Sequence, residues 1–245
     1  MNAPALRARS VGEILDLGFQ LYRSRWPQMA TATGIVVLPL LVLEAISPVE
    51  ALPLLDRISN LFFLAASAAV VVIASEAYMG REIAASDALR KVGSRFVSVW
   101  GAALIQGFLI ILGTLLFIIP GIIAAAWTFA MQQAVMIEGR TAGDAFSRSQ
   151  ELSRDNFKHI LLTSGLMFVI VMLAMAGFVV VLQLTVESER LWTLLSTVAL
   201  VAINPLAAVV GTVLYYDLRI RKEAFDVAVA TERLGDAPAQ PAAAL

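Results

Sequence analysis

Between Phe96 and Ile137 the chain runs for 42 residues without one charged side chain. A helix rises 1.5 Å per residue and the hydrocarbon layer of a bilayer is about 30 Å thick, so one crossing takes about 20 residues. The uncharged stretch is about twice that length. It predicts two membrane crossings joined by a reversal, because a single kinked helix of that length has nowhere to go. Pro120-Gly121 lies just past the midpoint. Proline cannot supply a helix N–H and glycine accepts a left-handed turn, so the pair is the expected reversal.

Composition agrees. Hydrophobic residues make up 59% of the chain and charged residues 15%, with a mean hydropathy of +0.81; soluble domains carry about 25% charge. There is too little polar surface to coat a soluble fold, so apolar surface must face lipid. Further apolar segments bring the expected spans to six: 29–46, 58–79, 96–119, 121–137, 159–184 and 191–216. The fold class is therefore all-α, a polytopic membrane bundle forming one domain over residues 1–226. Residues 227–245 read as a tail that ends in disordered Ala/Pro-rich sequence. Glu13 and Asp16 interrupt the apolar run that a secretory signal would need after Arg7 and Arg9, so the first segment is expected to stay on the protein.

Charge sets the expected orientation. With the N-terminus in the cytoplasm and six spans, 16 of the 18 basic residues fall inside; only Arg57 and Arg190 fall outside. Translocating Lys and Arg is disfavoured, which predicts a multi-pass membrane protein with both termini cytoplasmic.

Three inner segments share a pattern: a small residue, an acid, two apolar residues, and an aromatic 13 positions after the acid. They are Gly12-Glu13-Ile14-Leu15 with Trp26, Ser86-Asp87-Ala88-Leu89 with Trp100, and Gly143-Asp144-Ala145-Phe146 with Phe157. An acid near a helix start complements the macrodipole. The segments read as amphipathic interfacial helices over about 11–25, 86–95 and 143–155, each leading into a transmembrane hairpin. Chance agreement in an Ala-rich chain is the competing reading of the repeat. Plain topological anchoring is the competing reading of the helices.

Few residues suggest chemistry. No cysteine is present, which excludes disulfides and thiolate chemistry. His159, the only histidine, sits at a span boundary and reads as an anchor. Zinc sites and serine triads need histidine with close partners, so no metal, cofactor or catalytic set is expected. A net charge of -1 gives no reason to expect nucleic acid. The ionisable residues near span ends are Glu44, Glu76, Glu138 and Asp217. A carboxylate below the hydrocarbon boundary is expensive unless paired. Arg148, Arg219 and Arg221 are the expected partners, with Arg148 or Arg221 for Asp217; simple solvation at the interface is the alternative. Tyr215 and Tyr216 are placed as interfacial aromatics. Asn204-Pro205 falls near the middle of the sixth span, as either a packing kink or a broken-helix site.

Several stretches carry a family resemblance: Ser10–Trp26, Pro120-Gly121 followed by Trp127, Glu138–Leu152, and above all Leu214–Asp226, which reads LYYDLRIRKEAFD. In this order the chain resembles the bacterial family named for the membrane domain of glycerophosphoryl diester phosphodiesterase. The resemblance implies a six-helix inner-membrane domain, fused in some relatives to a soluble phosphodiesterase barrel. No segment here is long and polar enough to be that barrel, so the enzymatic name does not carry over. The expected function is a non-enzymatic accessory or scaffold protein that binds membrane lipid, anionic lipid included, or a membrane-protein partner. A small transporter and a lipid-acting membrane enzyme are the alternatives.

Overall fold

A computed structural model describes the chain over residues 4–235, except for some side chains in residues 44–61, 189–204 and 232–235. The fold is 86% helical, and no strand occurs among the described residues. The long helices are α1 (Val11–Ile46), α2 (Leu52–Tyr78), α4 (Phe96–Leu116), α8 (Phe157–Thr185) and α9 (Glu189–Glu223). The shorter ones are α3 (Ala85–Ser94), α5 (Ile118–Thr128), α6 (Met131–Ile137), α7 (Ala142–Ser153) and α10 (Phe225–Gly235). Five stretches are long and apolar enough to cross a bilayer: α1, α4, the α5–α6 pair, α8 and α9. The sixth long element is α2, with a shorter apolar stretch, Phe62–Tyr78. The molecule is an all-α membrane bundle.

α2 is the central helix. It packs on α1, α6 and α9. Its residues from Ala68 to Ala74 are buried on every side, as expected of a helix that is apolar all round. Small residues let the backbones approach, which is how helices associate in lipid, where no hydrophobic force drives them together. Gly18 of α1 is such a contact: a Cβ there would lie 2.5 Å from Val210 Cγ2 on α9.

The first interfacial helix differs from its expectation. Residues 11–25 are no separate element but the opening turns of α1, which runs on into the first span. Pro27 and Pro39 lie inside this helix without ending it. Each costs one backbone bond; separately, the Thr31 hydroxyl donates to the Pro27 carbonyl at 2.7 Å. The other two interfacial helices are separate, as α3 and α7. In all three, the acid occupies the third helical position and the residue after it (Ile14, Ala88, Ala145) has no exposed surface. Ser10 and Thr141 cap two of the starts, Ser10 in a reciprocal capping box with Glu13.

The α4–α5 reversal also moves. It is made at Phe117, which is extended (φ -166, ψ 160), and not at Pro120-Gly121. Pro120 is the third residue of α5, where its missing N–H would have had no helical partner. Gly121 serves close packing: a Cβ would meet Thr114 Oγ1 at 2.2 Å. Finally, the tail begins with structure. Ala224 adopts a left-handed conformation (φ 49), the chain turns, and α10 follows through Gly235; residues 236–245 lie outside the described residues.

Candidate functional site

The ends of six long segments meet at one pole of the bundle, which we call the charged end. The start of α1 brings Arg9, the end of α2 brings Tyr78, and the start of α4 brings Arg95. The end of α6 brings Glu138, the start of α8 brings His159, and the end of α9 brings Asp217. Two carboxylates organise the pole.

Asp217 has no exposed surface. It accepts from the backbone N–H of Arg9 at 2.6 Å, from Arg221 Nε at 2.6 Å, and is 2.9 Å from His159 Nε2. Arg221 also donates to the Arg9 carbonyl at 2.6 Å. Asp217 and Arg221, one turn apart on α9, thus grip both backbone polar groups of Arg9. The Arg9 guanidinium reaches the Tyr78 hydroxyl at 3.2 Å and the Ala5 carbonyl at 2.6 Å. Tyr78 stacks on Tyr216, with centroids 4.6 Å apart and planes 4° from parallel. The Tyr216 hydroxyl is 2.8 Å from Ser75 Oγ. The N-terminal segment is therefore sewn onto α2, α8 and α9 at one point.

Glu138, just beyond α6, is the second centre. Arg148 Nε lies 3.0 Å from each of its oxygens and a second guanidinium nitrogen 2.9 Å from one of them. Arg140 pairs with it at 3.1 Å, and the Tyr215 hydroxyl donates to it. Arg148 in turn binds Glu223, and Arg219 pairs with Glu223 at 3.1 Å while lying 4.0 Å over the Phe225 ring. Burial opposes ionisation of Glu138, but the hydrogen bonds from Arg148 and Tyr215 outweigh it and hold the carboxyl below its usual range. Charge-assisted bonds of this kind are the strong ones.

Of the residues expected to matter, Glu138, Arg148, Tyr215, Tyr216, Asp217, Arg219 and Arg221 gather here. Three details differ from expectation. Arg148 does not pair with Asp217; it joins Glu138 and Glu223, and Asp217 takes Arg221 and His159. His159 is more than an anchor, being a direct partner of Asp217. Tyr215 and Tyr216 are 0% and 3% exposed, so they are interior hydrogen-bonding and stacking residues. Their α9 face turns toward α2 and α6, not toward lipid.

The remaining candidates stay apart. Glu76 pairs with Arg81 at 2.5 Å near the end of α2. Pro120 and Gly121 lie at the opposite pole. Pro205 is buried inside a continuous α9, about 18 Å along the helix from Asp217. The Tyr22 hydroxyl donates to the Ala202 carbonyl at 2.6 Å, three residues before Pro205. The side chains of Asn204 and Glu44 lie outside the described residues.

Sequence reading missed Arg9, Tyr78 and Glu223. Arg9 had one signal, its place beside the Ser10–Glu13 capping box, and Glu223 had one, its spacing of four from Arg219; Tyr78 had none, because its partners Arg9 and Tyr216 are distant in sequence. Among the described residues no group of acids and histidines could hold a metal ion. Each carboxylate of the pole is taken up by cations and hydroxyls of the same chain, so the arrangement clamps helix ends together. No protein-family model, no curated protein and no solved structure matches the chain.

Proposed function

We propose that this chain is a non-enzymatic accessory or scaffold protein of a bacterial plasma membrane, with its charged end in the cytoplasm, holding anionic lipid or a membrane-protein partner at the inner leaflet. The observation that carries this reading is the pairing at the charged end. Glu138, Asp217 and Glu223 are committed to Arg148, Arg219, Arg221 and His159, so none of these three carboxylates is poised as a free acid or base, which argues against the enzymatic alternative. The concentration of 16 basic residues on one side supports the cytoplasmic orientation. The resemblance to the membrane domain named for glycerophosphoryl diester phosphodiesterase supports the inner-membrane compartment.

The surface around the clamp supplies the lipid contact. The Arg90 side chain is 79% exposed even while 3.0 Å from Asp87, and Lys91 follows it on α3. Arg95 is different, because its guanidinium donates to the Gly139 carbonyl and ties α4 to the loop after α6. Each basic residue near an anionic surface contributes about 1 kcal/mol, or about fivefold in binding. The test is purification in mild detergent and quantification of co-purifying lipid. Arg90→Gln with Lys91→Gln should retain several-fold less anionic lipid than the parent protein. Equal retention would remove the lipid-holding reading.

A further inference from the structure

One cavity in the bundle is built for a ligand that the charged end does not explain. It has a volume of about 340 Å³ and lies among α2, α6, α8 and α9. Its polar wall is Ser67, Gln132, Gln133, Thr163 and Ser164. Gln132 is satisfied by the Ser67 hydroxyl at 3.2 Å and the Leu64 carbonyl at 3.5 Å. Gln133 and Thr163 are not: Gln133 Oε1 and Thr163 Oγ1 have no hydrogen-bond partner, although the residues are only 5% and 0% exposed. A buried polar atom left unpaired costs about 1–3 kcal/mol. Both residues line the cavity with their unpaired atoms covered; turned into it, those atoms would match a ligand that accepts from a hydroxyl and donates to an amide oxygen.

Depth and charge narrow the class. Thr163 is four residues into the bundle from His159, and Gln133 is five from Glu138. Both therefore sit about 6–8 Å deeper than the charged cluster. Among the described residues no ionisable side chain lines the cavity, so a charged headgroup at that depth would lack a counter-ion. The mouth opens sideways: Phe168, 63% exposed, and the exposed Ala207 both line the cavity and form the outer surface of α8 and α9. Most of α8 faces outward, with 11% of its apolar window buried. Entry is thus from the hydrocarbon layer. The volume takes about eleven water-sized groups, enough for a small polar headgroup with its chains left in the bilayer.

We propose that this cavity binds the uncharged, hydroxyl-bearing head of a diacylglycerol-type lipid, entering between α8 and α9, with Gln133 accepting from the lipid hydroxyl and Thr163 donating to an ester oxygen. Both protein atoms are covered as the side chains stand, so side-chain rotation accompanies binding. The inference rests on the lipid-holding reading but uses a site separate from the basic surface of α3.

The test is native mass spectrometry of the full chain in mild detergent, titrated with 1,2-dioctanoylglycerol, dioctanoyl phosphatidic acid and glycerol. One dioctanoylglycerol should bind per chain and raise the melting temperature, with the other two binding at least tenfold more weakly. Gln133→Leu and Thr163→Val should each weaken that binding about tenfold while folding as well as the parent or better, since each removes an unpaired atom. Arg90→Gln with Lys91→Gln should leave it unchanged, so failure of the basic surface and failure of the cavity are told apart. Absence of dioctanoylglycerol binding, equal binding by the two cavity variants, or comparable binding of phosphatidic acid or glycerol would each overturn the proposal.

Discussion

A carboxylate with no exposed surface is costly unless its oxygens find donors, and Asp217 finds three, from Arg9, His159 and Arg221. Removing it leaves the Arg221 charge and the Arg9 N–H unanswered. Asp217→Ala should therefore lower stability in detergent by about 3 kcal/mol. A double-mutant cycle with Arg221→Ala should show coupling of about 1–2 kcal/mol, whereas the cycle with Arg148→Ala should be additive, because Arg148 and Asp217 share no partner. Coupling to Arg148 in place of Arg221 would contradict the pairing described. Glu138 gives a pH test. Its folded value lies below the ordinary 4.5, so its contribution is complete above that pH and is lost as pH falls through the folded value. Thermal unfolding followed from pH 7 to pH 3 should show stability falling in that acid window. Glu138→Gln should be less stable at neutral pH and show a smaller acid loss; an unchanged profile would mean that Glu138 does not carry the clamp. At this scale the sequence was partly legible. A carboxylate at a span end called for cations, and Arg221, one turn away, was visible as one. Which of the distant arginines served which acid was not, since that depends on how α7 lies against α9.

At the scale of elements, hydropathy located the long helices because crossing a bilayer demands length and uniform apolarity. It misjudged their ends. The amphipathic start of α1 continues into a span because Pro27 is absorbed within the helix, whereas α3 and α4 are broken at Arg95, whose side chain is drawn to the Gly139 carbonyl. The α4–α5 turn was misplaced because Pro120 suits a helix's first turn as well as it suits a reversal. What holds that hairpin is glycine. A Cβ on Gly113 would lie 2.8 Å from the Pro120 carbonyl oxygen and 2.9 Å from the Gly121 nitrogen, both backbone atoms that cannot swing aside. Gly113→Ala should therefore cost about 1–3 kcal/mol. Gly107→Ala on the same helix meets nothing within 4 Å and should be neutral or slightly stabilising. Melting temperatures of the two variants in one detergent check this; equal effects would mean that the close approach of α4 and α5 is not needed.

At the scale of the whole molecule, one arrangement accounts for both the charge asymmetry and the clamp. If α1, α2, α4, α5–α6, α8 and α9 each run from one pole to the other, then Arg9, Tyr78, Arg95, Glu138, His159 and Asp217 must all arrive at the same pole, and they do. The start of α1 and the end of α9 then lie at one pole. The absence of cysteine makes this directly measurable. Single cysteines placed at Glu50, Asp87, Arg154, Glu187 and Asp226 can be labelled with a membrane-impermeant maleimide, first in whole cells and then in inverted vesicles. Positions 87, 154 and 226 should label only in inverted vesicles, and positions 50 and 187 only in whole cells. Labelling of position 226 from the same side as position 50 would contradict the account.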